Sequence, residues 1–160
     1  EGQYELADRV LEFAEQLSVK RLVTMGGMAT DRFTEPRRVY GGSTDPSLMN
    51  ELEKNGVLKL GGGSITGTNG LLFGLAKPRN VQAICLLAET PGYLSFDAGA
   101  ARAVLQVIAK INGIQVDMSD LEKQAKENKD AVDRAREPGK GWGKTEARKP
   151  VSDRELSYVS

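Results

Sequence analysis

There is no histidine among the 160 residues of this chain. That absence removes the commonest general base near neutral pH and the commonest zinc ligand. Ser-His-Asp and Cys-His chemistry are thereby excluded within the chain. Cysteine is nearly absent too: Cys85 stands alone, so no internal disulfide can form. Its place in the apolar run Val81 to Leu87 marks it as a small buried hydrophobe. Nothing argues for an oxidising compartment, and cytoplasm is the expected location. Neither sign of charge is in excess, with 22 Lys plus Arg against 22 Asp plus Glu. A global basic field is therefore missing, and nucleic acid is not an expected partner. No apolar run approaches the ~20 residues that span a bilayer, so no membrane partner is expected. No metal-ligand spacing or cofactor motif is present, and neither a metal nor a cofactor is expected.

Hydrophobic residues at 39% and charged residues at 28% are ordinary for a globular protein. The length suits one domain, or one domain with a tail. The chain has no initiating Met and enters a helical pattern at once, so it is expected to be the carboxy-terminal part of a longer polypeptide.

Leu6, Val10, Phe13 and Leu17, with Ala14, form a stripe at helical spacing that predicts a buried helix face. Residues 21–27 then read as a strand, and helix followed by buried strand is the alternation of an α/β fold. Residues 26–37 are turn-rich. Val39 and Tyr40 form a short strand before Gly41 and Gly42. Asp45 reads as an N-cap with Pro46 at the first helical position, and Asn55-Gly56 as the stop. Val57 to Leu60 predicts a strand and Leu71 to Ala76 a helix, closed by Lys77-Pro78. Val81 to Leu87 reads as a buried central strand. Residues 98–111 form the best helix, with Ala101, Val104, Leu105, Ile108 and Ile111 on one face and Asn112-Gly113 as its end. Ser119 and Glu122 fit a capping box for a last, mostly polar helix running to about Arg136. From Glu137 the composition turns to Pro, Gly, Lys and Arg. Residues 1–136 are thus read as an α/β domain and 137–160 as a flexible carboxy-terminal tail.

Between the Val57 to Leu60 strand and the next helix lies Gly61-Gly-Gly-Ser-Ile-Thr-Gly-Thr-Asn-Gly. Such a loop can turn backbone N–H groups toward an anion, or let two backbones lie close with no chemistry. It fails the P-loop pattern, since Thr68 follows Gly67 where Lys is needed. It fails the dinucleotide pattern as well, because Thr66 stands where the third glycine belongs. A generic anion site built on Gly62, Gly63, Ser64, Thr66 and Gly67 survives beside the favoured reading, a tight joint packing helix on sheet.

Glu89, Asp97 and Asp31 are the carboxylates nearest the carboxyl ends of strands, where α/β sites form. Asp97 is better explained as the N-cap of the helix beginning at Ala98. Arg32, Arg37 and Arg38 make a small basic cluster near Phe33 and Tyr40, suited to a phosphate or a protein interface. Trp142, in a glycine-rich stretch, either docks on its own domain or fills a partner's pocket.

Four segments occur in an informative order: Gly63-Ser-Ile-Thr-Gly-Thr-Asn-Gly-Leu-Leu, Ile84-Cys-Leu-Leu-Ala-Glu-Thr, Phe96-Asp-Ala-Gly-Ala-Ala-Arg-Ala-Val-Leu and Ile114-Gln-Val-Asp-Met-Ser-Asp-Leu. Together they resemble the PAC2 family, the proteasome assembly chaperone family, and most closely its archaeal members. The resemblance covers about residues 4–128, the second half of the family domain. It implies a three-layer α/β sandwich similar to nucleoside phosphorylases, with a mostly parallel central sheet, lacking here its amino-terminal part. It further implies a non-enzymatic scaffold that forms oligomers and binds proteasome α-subunits or assembly intermediates. Some archaeal members dock through a final hydrophobic-Tyr-any tripeptide. Here Tyr158 is followed by Val159 and Ser160 and preceded by Ser157, a departure from that pattern. Apolar positions on the helices, with Trp142, Leu156 and Tyr158 in the tail, are the partner-binding candidates. The alternative is a phosphorylase- or nucleosidase-like enzyme holding phosphate or a nucleoside at the glycine-rich loop. A purely structural subunit is the third reading.

Overall fold

The structure is a computed structural model that describes residues 2–62 and 64–136. Its elements run α1 (Gly2–Gln16), β1 (Arg21–Thr30), β2 (Val39–Ser43), α2 (Pro46–Lys54), β3 (Leu58–Lys59) and α3 (Gly67–Ala76). A 3-10 turn (Lys77–Arg79) leads to β4 (Gln82–Pro91), α4 (Ala98–Asn112) and α5 (Ser119–Arg136). The sheet order is β1-β4-β2-β3. β1 pairs parallel with β4 and β2 parallel with β3, while β2 meets β4 antiparallel. The expected mostly parallel α/β sheet is therefore present.

Alternation along β4 builds the layers. Ile84, Leu86 and Ala88 point into a core shared with Leu48, Met49 and Leu52 of α2 and with Ala103, Val104 and Val107 of α4. Ala83, on the opposite face, joins a second core with Leu11 of α1 and Ala76 of α3. A strand buried on both faces must be apolar at consecutive positions, as 83–86 are. Cys85 is fully buried there. Burial also pushes its thiol above the ordinary range.

Local signals set several ends as expected. Asp45 accepts a 2.7 Å hydrogen bond from the Ser47 N–H, with Pro46 opening α2. Gly113 closes α4 at φ 62°, the left-handed conformation glycine adopts without a Cβ penalty. Elsewhere the elements shift. β1 runs on to Thr30, and β2 takes in Gly41 and Gly42. A Cβ on Gly41 would stand 2.7 Å from the Val57 side chain, so this strand needs glycine for close packing. β3 shrinks to Leu58–Lys59, and α3 starts at Gly67, four residues before the expected Leu71. Ser119, expected as the cap of α5, is its first helical residue, and Asp117 accepts from its N–H at 3.0 Å. On α4 the buried face centres on Ala100, Ala103, Val104 and Val107. Leu105, Ile108 and Ile111, predicted to be central, are only half-buried.

The main correction concerns α1. Its buried residues are Ala7, Leu11 and Ala14. The predicted core stripe faces outward, with Leu6 54%, Phe13 60% and Leu17 62% exposed. The two stripes are offset by one residue, and small Ala7 and Ala14 let α1 approach α3 more closely than Leu6 and Phe13 could. In this rotation Arg79 pairs with Asp8 at 2.6 Å and Glu15 at 3.3 Å.

Candidate functional site

The loop between β1 and β2, the carboxyl end of β4 and the start of α4 converge on four charged side chains. Glu89 is buried and accepts from Arg38 Nε at 2.9 Å and Thr34 Oγ1 at 3.0 Å. Its other oxygen faces Arg38 Nη2 at 2.7 Å and accepts from the Tyr40 hydroxyl at 3.3 Å. The hydrogen bond from Arg38 leads the causes that hold the Glu89 carboxyl below its ordinary range, and the bonds from Thr34 and Tyr40 add to it. Asp97 caps α4 through the Ala100 N–H at 3.0 Å and accepts from Arg37 Nε at 2.9 Å. The Thr90 hydroxyl donates to it at 3.1 Å. Arg37 also donates to the Thr34 carbonyl and lies 3.8 Å over the Phe33 ring.

These partners change how the predicted residues read. Asp97 is the N-cap it was expected to be, and an ion-pair partner besides. Arg37 and Arg38 do not form the free basic cluster expected to suit a phosphate or a protein interface. Arg37 is in fact buried, and both guanidiniums are taken up by carboxylates of the same chain. Arg32 and Asp31 remain exposed, outside the cluster. With both carboxylates committed, the cluster clamps the 31–38 loop to the sheet and offers no free acid–base pair. Sequence spacing could not show this, because the pairs join residues 60 and 51 positions apart.

The glycine-rich loop acts first as a joint. Gly62 and Gly67 have φ of 128° and 71°, conformations open to glycine. A Cβ on Gly70 would lie 1.8 Å from the Ile65 carbonyl oxygen. Thr66 occupies the N-cap of α3 without a side-chain hydrogen bond to it. Gly62 and Ser64 also reach the wall of a cavity of about 660 Å³, where they meet Gly42, Lys59, Phe73 and Lys77. Gly63, Trp142, Leu156 and Tyr158 lie outside the described residues. Nothing in the sequence gives Lys59, Lys77 and Phe73 a site role, since only the fold brings β3, the loop before α3 and the carboxyl end of α3 around one space.

Two surfaces stand without partners among the described residues. One is the α1 stripe of Leu6, Val10, Phe13 and Leu17. The other is the outer edge of β1, ten residues long and paired only with β4. Asn69 Nδ2 covers one point of that edge, donating to the Met25 carbonyl at 2.8 Å. No group of three or more acidic, His or Cys side chains that could hold a metal occurs among the described residues. No helix among them is long and apolar enough to cross a membrane.

The model of the PAC2 family matches residues 1–136. The uncharacterized protein MJ1210 of Methanocaldococcus jannaschii is 33% identical over 159 residues, 99% of this chain and 61% of that protein. The crystal structure of Pyrococcus furiosus PbaB, an archaeal proteasome activator, superposes with a TM-score of 0.74 at 33% identity. That match covers 85% of this chain and 59% of PbaB. Pyrococcus furiosus PbaA, an archaeal homolog of proteasome-assembly chaperone, gives a TM-score of 0.74 at 29% identity over 82% of this chain and 55% of its own. The chain thus spans about three-fifths of the length of these relatives.

Proposed function

The chain belongs to the PAC2 family, and from that premise we propose that it is a non-enzymatic assembly chaperone or related scaffold for the proteasome. It acts by stoichiometric binding in the cytoplasm, as an oligomer that holds α-subunits or assembly intermediates and releases them as the assembly closes. The observation that carries this reading is the exposed α1 stripe of Leu6, Val10, Phe13 and Leu17. Several large apolar side chains on one helix face are a binding surface in search of a partner. Residues 1–136 form the binding domain, and residues 137–160 form a tail that adds Trp142, Leu156 and Tyr158 as contacts.

The names of the two Pyrococcus furiosus relatives, an activator and a chaperone homolog, support the partner class. The engagement of Glu89 and Asp97 by arginines supports binding over catalysis. The test is native mass spectrometry of the full 160-residue chain with purified archaeal proteasome α-subunits. A complex of fixed stoichiometry is expected. Its absence at micromolar concentrations of both proteins overturns the reading.

A further inference from the structure

The cavity beside the glycine-rich loop lies where β2 and β3, which run parallel, both end. Ser43 ends one strand and Thr44 follows it, and Leu60, Gly62 and Ser64 follow the other. The crevice outside the carboxyl ends of parallel strands is where α/β folds place ligands. Its volume of about 660 Å³ is in the range that small organic ligands fill.

The lining has two parts of different chemistry. Met49, Leu60, Ile65 and Phe73 give it apolar walls. Lys59 and Lys77 are its charged groups, and no carboxylate lines it among the described residues. Neither lysine makes an ion pair with another described residue. A chain with equal numbers of acidic and basic residues therefore carries a local excess of two positive charges around an apolar hollow. We infer that this cavity binds an amphiphilic organic anion, a carboxylate with an apolar body. The body lies against Phe73 and Leu60, and the carboxylate faces Lys59 and Lys77. A free phosphate suits it less well, because the apolar walls would strip water from a multiply charged ion without replacing the lost hydrogen bonds. Glycine at position 42 keeps the hollow open: a Cβ there would stand 3.6 Å from Phe73 and 3.7 Å from Leu60. Larger side chains at that position would grow into the space.

The experiment is isothermal titration of the full chain with octanoate, with its neutral analogue octanamide, and with inorganic phosphate. Amide shifts of Gly42 and Ser64 in NMR spectra locate the site. Octanoate is expected to saturate one site and shift both residues. Octanamide should bind about tenfold more weakly, as should octanoate to the Lys59→Gln/Lys77→Gln variant. Gly42→Val should abolish binding, and the lysine variant keeps the test valid if that chain fails to fold. Equal affinity for octanoate and octanamide overturns the assignment, as does unchanged binding by the lysine variant. Saturation by phosphate alone, shifts confined to α1, or no binding at all overturns it as well.

Discussion

Arg37 and Asp97 form an ion pair 2.9 Å long in which the two side chains are only 1% and 4% exposed. Asp97 is at the same time the N-cap of α4, so one carboxylate ties the 31–38 loop to a helix start. Taking a guanidinium and a carboxylate out of water is costly, and the attraction between them repays it only while both remain. Arg37→Ala should therefore destabilise the chain by about 3–5 kcal/mol. Asp97→Ala should cost more still, because the cap is lost with the charge. Urea denaturation of both variants measures this. A loss as small as an exposed pair gives, below about 1 kcal/mol, would contradict the burial.

Glu89 gives the acid response a sign. Arg38, Thr34 and Tyr40 hold its folded carboxyl below the ordinary value of 4.5. A carboxyl lowered by folding contributes stability that is fully present above that ordinary value. The contribution is lost as pH falls through the lowered one. Glu89→Gln should thus be less stable than the parent at neutral pH and converge on it in acid. Thermal unfolding followed from about pH 7 to about pH 3 checks the prediction. A constant difference between the two proteins across that range would refute it.

Two glycines of α3 should respond in opposite directions. A Cβ on Gly70 meets the Ile65 backbone carbonyl at 1.8 Å, whereas one on Gly74 meets nothing within 4 Å. Gly70→Ala must push the 60–66 loop away from the helix, and a loss above about 2 kcal/mol is expected. Gly74→Ala has room and a helical backbone, so it should stabilise by about 0.5–1 kcal/mol through lower chain entropy. Chemical denaturation of the pair decides whether this loop is a packed joint. Similar effects of the two substitutions would count against it.

What the sequence revealed follows the range of the forces involved. Caps are local, so Asp45, Pro46 and Gly113 could be read directly from their neighbours. A strand buried on both faces announces itself by continuous apolar residues, as Val81 to Leu87 does. At the start of α5 the expected cap, Ser119, is already helical, and its N–H is met by Asp117 two residues earlier. The rotation of α1 was misread for a subtler reason. Hydrophobicity favours the larger stripe of Leu6, Val10, Phe13 and Leu17, but close helix packing favours Ala7 and Ala14. Arg79, far along the chain, pairs with Asp8 and Glu15 in that rotation. The pairing of Arg37 and Arg38 with distant carboxylates, and the placing of Lys59 and Lys77 on the wall of one cavity, depend on tertiary placement alone.

That rotation supplies the sharpest test of the functional reading, because it separates folding from binding on a single helix. Phe13 and Leu17 touch water, while Leu11 is fully buried. Phe13→Glu with Leu17→Glu should change stability by no more than about 0.5 kcal/mol, as surface substitutions do. Leu11→Ala should cost about 2–5 kcal/mol by opening a cavity between α1 and α3. If α1 is the docking face, the double glutamate variant loses both self-association and α-subunit capture in native mass spectrometry while its unfolding curve stays in place. Were the variant instead to unfold, the exposed stripe would belong to the core after all. Were it to remain folded and still capture α-subunits, the docking face would lie elsewhere, and the unpaired edge of β1 would be the next surface to block.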